Sequence, residues 1–203
     1  MAKSVKDRLL NIARQEGRVF DVLRFALERL LYRLSVSEHR DRFVLKGGML
    51  VTVWVEDDNR VTRDADFLGH GDPDPERLAA DFREIMAIES EDGLVFDLDA
   101  LAATAIREDM EYGGTRLKTA AYIEKTRIPV TIDIGFGDAM ADATQQLDYP
   151  TLLDLPAPQR ACLSTRHGDR REIPGDGRAW CPERTHERLL RSVGDPARTR
   201  YCR

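Results

Sequence analysis

Three aspartates in strand-like segments are the residues of this chain best suited to carry chemistry. Asp64 and Asp66 lie in the sequence Thr-Arg-Asp-Ala-Asp, and Asp133 lies in Val-Thr-Ile-Asp-Ile. Residues two apart in a strand point to the same face, so Asp64 and Asp66 project together, with roughly 7 Å between their backbones. Carboxylate oxygens are the ligands that Mg²⁺ prefers, and nucleotide phosphates commonly complete such a shell. The three aspartates therefore indicate a two-metal site.

A Lys46-Gly47-Gly48 turn lies between the first buried strand (residues 43–45) and an apolar helix over residues 49–55. Glycine lets the backbone approach a ligand closely, and N–H groups at the start of a helix attract phosphates. Each motif also has an ordinary structural explanation, because surface strands often carry alternating acids and Gly-Gly is common in turns. Their combination in one strand–turn–helix–strand unit, with a third aspartate later, favours a metal- and phosphate-binding site.

The segments around this unit predict a mixed α/β fold, in which a mixed sheet is flanked by helices. Two apolar-striped segments predict an N-terminal helical hairpin, with Ser4 capping the first helix, Gly17 ending it, and the second helix over residues 19–34. Pro75 predicts the first position of a further helix. Strands are expected over residues 43–45, 94–98, 106–112, 115–123 and 129–134, with Gly113-Gly114 as a hairpin or bulge.

The composition changes abruptly after residue 159. All Phe, Lys and Met lie before that point, whereas all three Cys and 11 Arg lie after it. Five large aliphatic side chains in the last 44 residues cannot offset the entropy of ordering them. We therefore expect one domain over residues 1–159, comprising a helical hairpin (1–42) and a mixed-sheet core (43–159). Residues 160–203 are expected to form a poorly structured, disordered tail.

A binding role for the tail stays open in two forms. Its cysteines and histidines could bind zinc, although their spacing fits no zinc motif, and its arginines could form an RNA-binding arm. The residues concerned in the zinc alternative are Cys162, Cys181, Cys202, His167 and His186. The net charge of −5 argues against a surface coated with nucleic acid. The chain has no long apolar run and no secretory signal, which predicts a cytoplasmic protein without a membrane partner.

The segment from Ser4 to about Gln159 resembles the AbiEii/AbiGii toxin family of nucleotidyltransferases. The resemblance rests on four segments: Phe-Val-Leu-Lys-Gly-Gly (43–48), Thr-Arg-Asp-Ala-Asp (62–66), Ile-Asp-Ile-Gly-Phe-Gly-Asp (132–138) and Tyr-Pro-Thr-Leu-Leu (149–153). It implies the polymerase-β-like nucleotidyltransferase fold and the transfer of a nucleotide from a nucleoside triphosphate to an acceptor hydroxyl, which in some relatives belongs to tRNA. It also implies the toxin role of a toxin–antitoxin (abortive infection) system, with an antitoxin protein as partner.

The resemblance also implies roles for individual residues. Asp64, Asp66 and Asp133 would be the catalytic carboxylates and the Mg²⁺ ligands, and Asp133 would take the proton of the acceptor hydroxyl. The nucleotide would lie against Lys46, Gly47, Gly48, Met49, Arg63 and Lys118. For Arg63, a salt bridge across the sheet is an equal alternative. Arg116 and Lys118 share a strand face, and a solvated face is the simpler explanation for both.

Two departures from the family pattern put activity in doubt. Met49 stands where relatives often have Ser or Thr, whose hydroxyl binds phosphate. After Pro158 the chain lacks the Ala-Glu-Lys-Phe and Lys-Asp-x-x-Asp motifs that complete the site in relatives. Codons can be chosen for residues 170–178 that read Ala-Glu-Lys-Phe-Gln-Ala-Met-Val in another frame, so we hypothesise a frameshift between about Gln159 and Arg170. The alternative to an active enzyme is then an inactive remnant that binds a nucleotide or a partner.

Overall fold

Four helices and eight strands make up the part of the chain that the computed structural model describes, which is residues 2–15, 22–54, 62–106, 114–137 and 144–163. The helices are α1 (Ala2–Gln15), α2 (Val22–Val36), α3 (Gly48–Trp54) and α4 (Pro75–Ala87). The strands are β1 (Phe43–Lys46), β2 (Ala65–Gly69), β3 (Leu94–Phe96), β4 (Ala102–Ile106), β5 (Gly114–Ile123), β6 (Thr126–Gly135), β7 (Thr144–Asp148) and β8 (Gln159–Leu163). Within these ranges no helix has both the length and the apolar character needed to cross a bilayer.

The strands form one mixed sheet in the order β3–β5–β6–β2–β1–β8–β7, and β4 pairs with β5 on the same edge as β3. β2 runs parallel to β6 and β1 runs parallel to β8. The other pairs are antiparallel, including the long hairpin of β5 and β6. This architecture confirms the predicted fold class, a mixed sheet flanked by helices and preceded by N-terminal helices.

The central strands bury one face against the helices and leave the other half-exposed. Leu45, Phe67 and Ile134 lie opposite one another on β1, β2 and β6 and are completely buried. The rings of Phe43, Phe67 and Phe82 pack with centroids 5.0–6.3 Å apart, which joins α4 to β1 and β2 on this side. Because successive side chains in a strand alternate between faces, the residues between these apolar ones fall on the half-exposed face.

The predicted N-terminal helices are present, but their ends differ from the prediction. α1 begins at Ala2, so Ser4 lies inside the helix and the prediction that it caps the helix is wrong. α2 continues to Val36, two residues beyond its predicted end. The predicted end of α1 at Gly17 and the predicted start of α2 at residue 19 lie outside the described residues.

The start of α4 follows the sequence signals. Pro75 is the first residue of the helix, where its missing N–H costs nothing. Asp74 is the cap, and its side chain accepts the Arg77 N–H at 2.8 Å. The prediction from Pro75 is confirmed.

Some strands differ from the prediction or are absent from it. Of the strand expected over residues 106–112 only Ile106 is described, and it is the last residue of β4; residues 107–113 lie outside the described ranges. The Ala-rich sequence of β4 has a weak intrinsic preference for strand, which pairing with β5 overrides. The strand expected over residues 94–98 ends at Phe96. The sequence does not predict β7, and β8 extends four residues into the predicted tail, of which residues 164–203 lie outside the described part.

A buried ion pair on α2 joins this helix to the loop before β8. Glu28 accepts the Leu152 N–H at 2.7 Å, and Arg29 donates to the Pro156 carbonyl at 2.8 Å. Arg29 Nη2 also lies 3.0 Å from Glu28 Oε1, although this contact lacks hydrogen-bond geometry. Burial raises the pKa of Glu28 to about 7, and the Leu152 N–H and the Arg29 charge only partly offset it.

We expect Glu28 to make the protein less stable as the pH rises from about 5 to about 8. Its pKa rises from 4.5 to about 7 on folding, so between these values the folded chain binds more protons than the unfolded chain. The stabilisation by Glu28 is complete below pH 4.5 and is lost as the pH rises through about 7. At 1.36 kcal/mol per pKa unit, this stabilisation amounts to at most about 3 kcal/mol.

Urea unfolding of the wild type and of Glu28→Gln at pH 5 and pH 8 measures this effect. The glutamine keeps an acceptor for the Leu152 N–H but cannot titrate, so the variant should lack this part of the pH dependence. Comparison of the two proteins cancels the contributions of all other titrating groups. Equal losses of stability in both proteins between pH 5 and pH 8 would contradict the prediction.

Candidate functional site

A row of four charged residues crosses the half-exposed face of the sheet. The strand registers place Lys46 opposite Asp66, Asp66 opposite Asp133, and Asp133 opposite Arg116. Residues directly opposite one another on neighbouring strands present their side chains to the same face at contact distance. Asp64 immediately precedes β2 and joins this row.

The three aspartates predicted to be catalytic lie together. Asp64, Asp66 and Asp133 each offer one carboxylate oxygen, and these atoms all lie within 4.8 Å of one another. Each residue is partly exposed, so a solute can reach the group from solvent. A donor set made only of carboxylate oxygens suits a hard divalent cation such as Mg²⁺.

Asp66 lies in surroundings that disfavour its ionised form. Burial raises its pKa to about 6, and the neighbouring charge of Asp64 adds to this rise. The N–H of Gly48 and the ammonium of Lys46 act in the opposite direction, whereas Asp133 raises the pKa a little further. A carboxylate that is crowded by like charges and partly buried gains the most from a bound cation, because the cation stabilises its ionised form.

Two glycines let the loop between β1 and α3 pack directly on this carboxylate. Gly47 has φ +69°, a left-handed conformation, and a Cβ atom at this position would overlap the Asp66 carboxylate. A Cβ at Gly48 would lie 2.7 Å from Thr62 Oγ1. The loop thus forms a close-fitting cradle around Asp66. The oxygen donor set fits a hard divalent cation, and the cradle holds one of its three carboxylates.

Lys46 reaches across the sheet toward the same group. A Cβ on Gly135 of β6 would lie 3.2 Å from Lys46 Nζ, although β2 separates β1 from β6. The ammonium group therefore lies over the face that carries Asp66 and Asp133. It supplies a positive charge beside the carboxylates.

Arg116 holds Asp133 through a two-pronged contact that the sequence prediction missed. Arg116 Nε donates to Asp133 Oδ1 at 2.7 Å, and Arg116 Nη2 donates to Asp133 Oδ2 at 2.6 Å. These bonds raise the pKa of Arg116 above its ordinary value. A sequence signal existed, since Arg116 and Asp133 lie eight residues before Glu124 and eight residues after Lys125, which form the two-residue turn between β5 and β6.

The other residues predicted to bind the nucleotide have different surroundings. Met49 is 2% exposed and belongs to the hydrophobic core, so only its backbone could face a ligand. Arg63 is exposed next to Asp64. Lys118 is exposed on β5, two residues from Arg116 and on the same face.

A second group of possible metal ligands lies on the surface, away from this row. Glu38, His39 and Glu84 bring one ligand atom each to within 4.8 Å of the others. Both glutamates are exposed, and His39 Nε2 lies 2.9 Å from Glu84 Oε2. We interpret this group as surface ion pairing, because among the described residues it has no counterpart of the glycine cradle that surrounds Asp66.

Comparison with known proteins shows the family to which the chain belongs. The family model for the nucleotidyl transferase AbiEii toxin of type IV toxin–antitoxin systems matches residues 29–166, a range that includes all three aspartates. No curated protein matches the chain.

Two solved structures from Helicobacter pylori are similar to the chain, one of JHP933 and one of a candidate nucleotidyltransferase. Each shares 16% identity with a TM-score of 0.44, over 70% of this chain and 51% and 52% of theirs, respectively. The chain thus spans about half the length of these structures. The family match itself extends over most of the chain, and by that match the protein belongs to the AbiEii nucleotidyltransferase toxin family of type IV toxin–antitoxin systems.

Proposed function

We propose that this chain carries the carboxylate half of a nucleotidyltransferase site. In this reaction the acceptor hydroxyl oxygen attacks the α-phosphorus of a nucleoside triphosphate, the bond from that phosphorus to the β-bridging oxygen breaks, and pyrophosphate leaves. The observation that supports this proposal best is the convergence of Asp64, Asp66 and Asp133, with oxygens within 4.8 Å of one another, in a member of a nucleotidyltransferase family.

The proposal gives each residue of the row a role. Asp64 and Asp66 would hold Mg²⁺, with Asp133 as the third ligand and the acceptor of the hydroxyl proton. Bound Mg²⁺ would supply Lewis-acid stabilisation of the phosphate charge. Lys46 would add a positive charge beside the phosphates, with Gly47, Gly48 and the Met49 backbone along them. The Gly48 N–H already contributes by holding Asp66.

Arg63 and Lys118 are proposed at the rim of the nucleotide site. Both side chains are exposed, Arg63 beside Asp64 and Lys118 on the face that carries Arg116. Exposed cations at these positions can neutralise phosphates without the cost of burying a charge. We propose tRNA as the acceptor, a cognate antitoxin as the protein partner, and the cytoplasm, where nucleoside triphosphates are plentiful, as the location.

The transfer reaction is tested with each α-labelled nucleoside triphosphate in turn, Mg²⁺ and total tRNA. We expect label to move to RNA, and Asp64→Asn or Asp66→Asn to reduce the rate at least about a hundredfold, because each removes a ligand charge from the reacting phosphate's surroundings. Asp99→Asn is the matched control, since it makes the same chemical change at an exposed position outside the row.

The same assay separates the enzyme from an inactive remnant. A remnant would bind Mn²⁺ through the aspartates but transfer no label, whereas a frame-corrected chain would be active under the same conditions. Transfer that survives both aspartate substitutions would show that another part of the chain, or a contaminant, carries the activity. Transfer lost equally in Asp99→Asn would show that the loss is not specific to the site.

The glycine cradle gives an independent test of the metal site. Gly71→Ala, at φ +90° with its nearest neighbouring atom 4.0 Å away, should cost only the left-handed strain of about 1–2 kcal/mol. Gly47→Ala adds the overlap with Asp66, so we expect a further loss of about 1–3 kcal/mol in urea unfolding.

Gly47→Ala should also weaken Mn²⁺ binding, measured by electron paramagnetic resonance, because Asp66 must move away from the other two carboxylates. Gly71→Ala serves as the control for left-handed strain without that overlap. If the two variants lose equal stability and bind Mn²⁺ equally well, the cradle does not position Asp66.

A further inference from the structure

Arg116 hydrogen-bonds both of the carboxylate oxygens that Asp133 could offer to a metal. The two N–H donors of its guanidinium approach Oδ1 and Oδ2 at 2.7 and 2.6 Å. Such a fork-to-fork pair is among the stronger hydrogen-bonded contacts of side chains and fixes the plane of the carboxylate. One of these same oxygens belongs to the group that converges with Asp64 and Asp66.

The contact contributes more to the site than to the fold. β5 and β6 already form a continuous hairpin with ten residues paired on each strand. The Arg116 side chain is 42% exposed and that of Asp133 is 18% exposed, so solvent screens part of this ion pair and the backbone pairing of the hairpin does not depend on it. An Arg side chain at the surface can turn its head to water while its stem stays on the sheet.

We infer that Arg116 is a positioning residue that gates the third carboxylate. Before a cation binds, the guanidinium holds Asp133 in place and balances part of the charge of the three aspartates. When a divalent cation binds, it competes with Arg116 for the lone pairs and the charge of Asp133, and this competition sets the affinity of the site. The inference rests on the proposed function, because it takes Asp133 as a metal ligand.

The two-pronged geometry of the Arg116 guanidinium distinguishes this gating role from a general effect of its positive charge. Lysine at position 116 would keep the positive charge, but its single ammonium group cannot cover both carboxylate oxygens. Glutamine would remove the charge as well. If occupancy of the oxygens controls the site, both variants must bind a divalent cation more tightly than the wild type. If charge alone controls it, only the glutamine variant will.

Electron paramagnetic resonance of Mn²⁺ mixed with the full chain, at fixed pH and salt, measures the affinity of the site for a divalent cation without requiring turnover. We expect Arg116→Lys and Arg116→Gln to tighten Mn²⁺ binding roughly two- to fivefold, the range left after screening of an exposed pair. Arg127→Gln is the matched control. It removes an arginine from the same face of β6, about 20 Å along the strand from Asp133, and should bind Mn²⁺ like the wild type. Circular dichroism melting confirms that each variant is folded.

The gate is overturned if Arg116→Lys binds Mn²⁺ no more tightly than the wild type, or if both variants bind it more weakly. Binding by the variants but not by the wild type would support it. If neither the wild type nor the variants bind Mn²⁺, the metal site fails and the gate fails with it. If only the gating role of Arg116 is wrong, label transfer in the proposed reaction still depends on Asp64 and Asp66. The two failures are therefore distinguishable.

Discussion

The register of four neighbouring strands is the constraint on which the site depends. Leu45, Phe67 and Ile134 pack the buried face, and a slip of one residue would carry these side chains to solvent and charged side chains into the core. The hydrophobic face therefore fixes the pairing, and the pairing brings Asp66 and Asp133 together on the other face. The site needs no separate device to align its strands.

The charge balance within the row follows from this alignment. Three carboxylates within 4.8 Å of one another repel each other, and the described residues compensate in three ways. The Gly48 N–H and the Lys46 ammonium act on Asp66, and the Arg116 fork acts on Asp133. None of these contacts is deeply buried or covalent, so under the proposed function each could rearrange at modest cost on cation binding. These three contacts keep the carboxylates in place in the absence of a bound cation.

Short-range sequence signals predict the parts of this site that are encoded locally. The spacing of Asp64 and Asp66, the glycines before α3 and the position of Pro75 are short-range signals with direct physical meanings. The features that the sequence does not predict depend on which strands pair with one another. The sequence alone favours a solvated face for Arg116, whereas the β5–β6 register places this residue opposite Asp133. Likewise, the weakly β-forming sequence of β4 becomes a strand only because β5 lies beside it.

The last described strand narrows the hypothesis of a frameshift. In β8, Cys162 is completely buried opposite Leu45 of β1, so residues just beyond Gln159 still complete the sheet beside a strand of the site. The family match also continues to residue 166. A change of reading frame, if the nucleotide sequence contains one, is therefore better placed between residues 166 and 170 than immediately after residue 159. Every residue that positions the three aspartates then precedes the break. Under the proposed function, cation binding would need only the sheet, whereas turnover would also need the groups that the family resemblance places after Pro158.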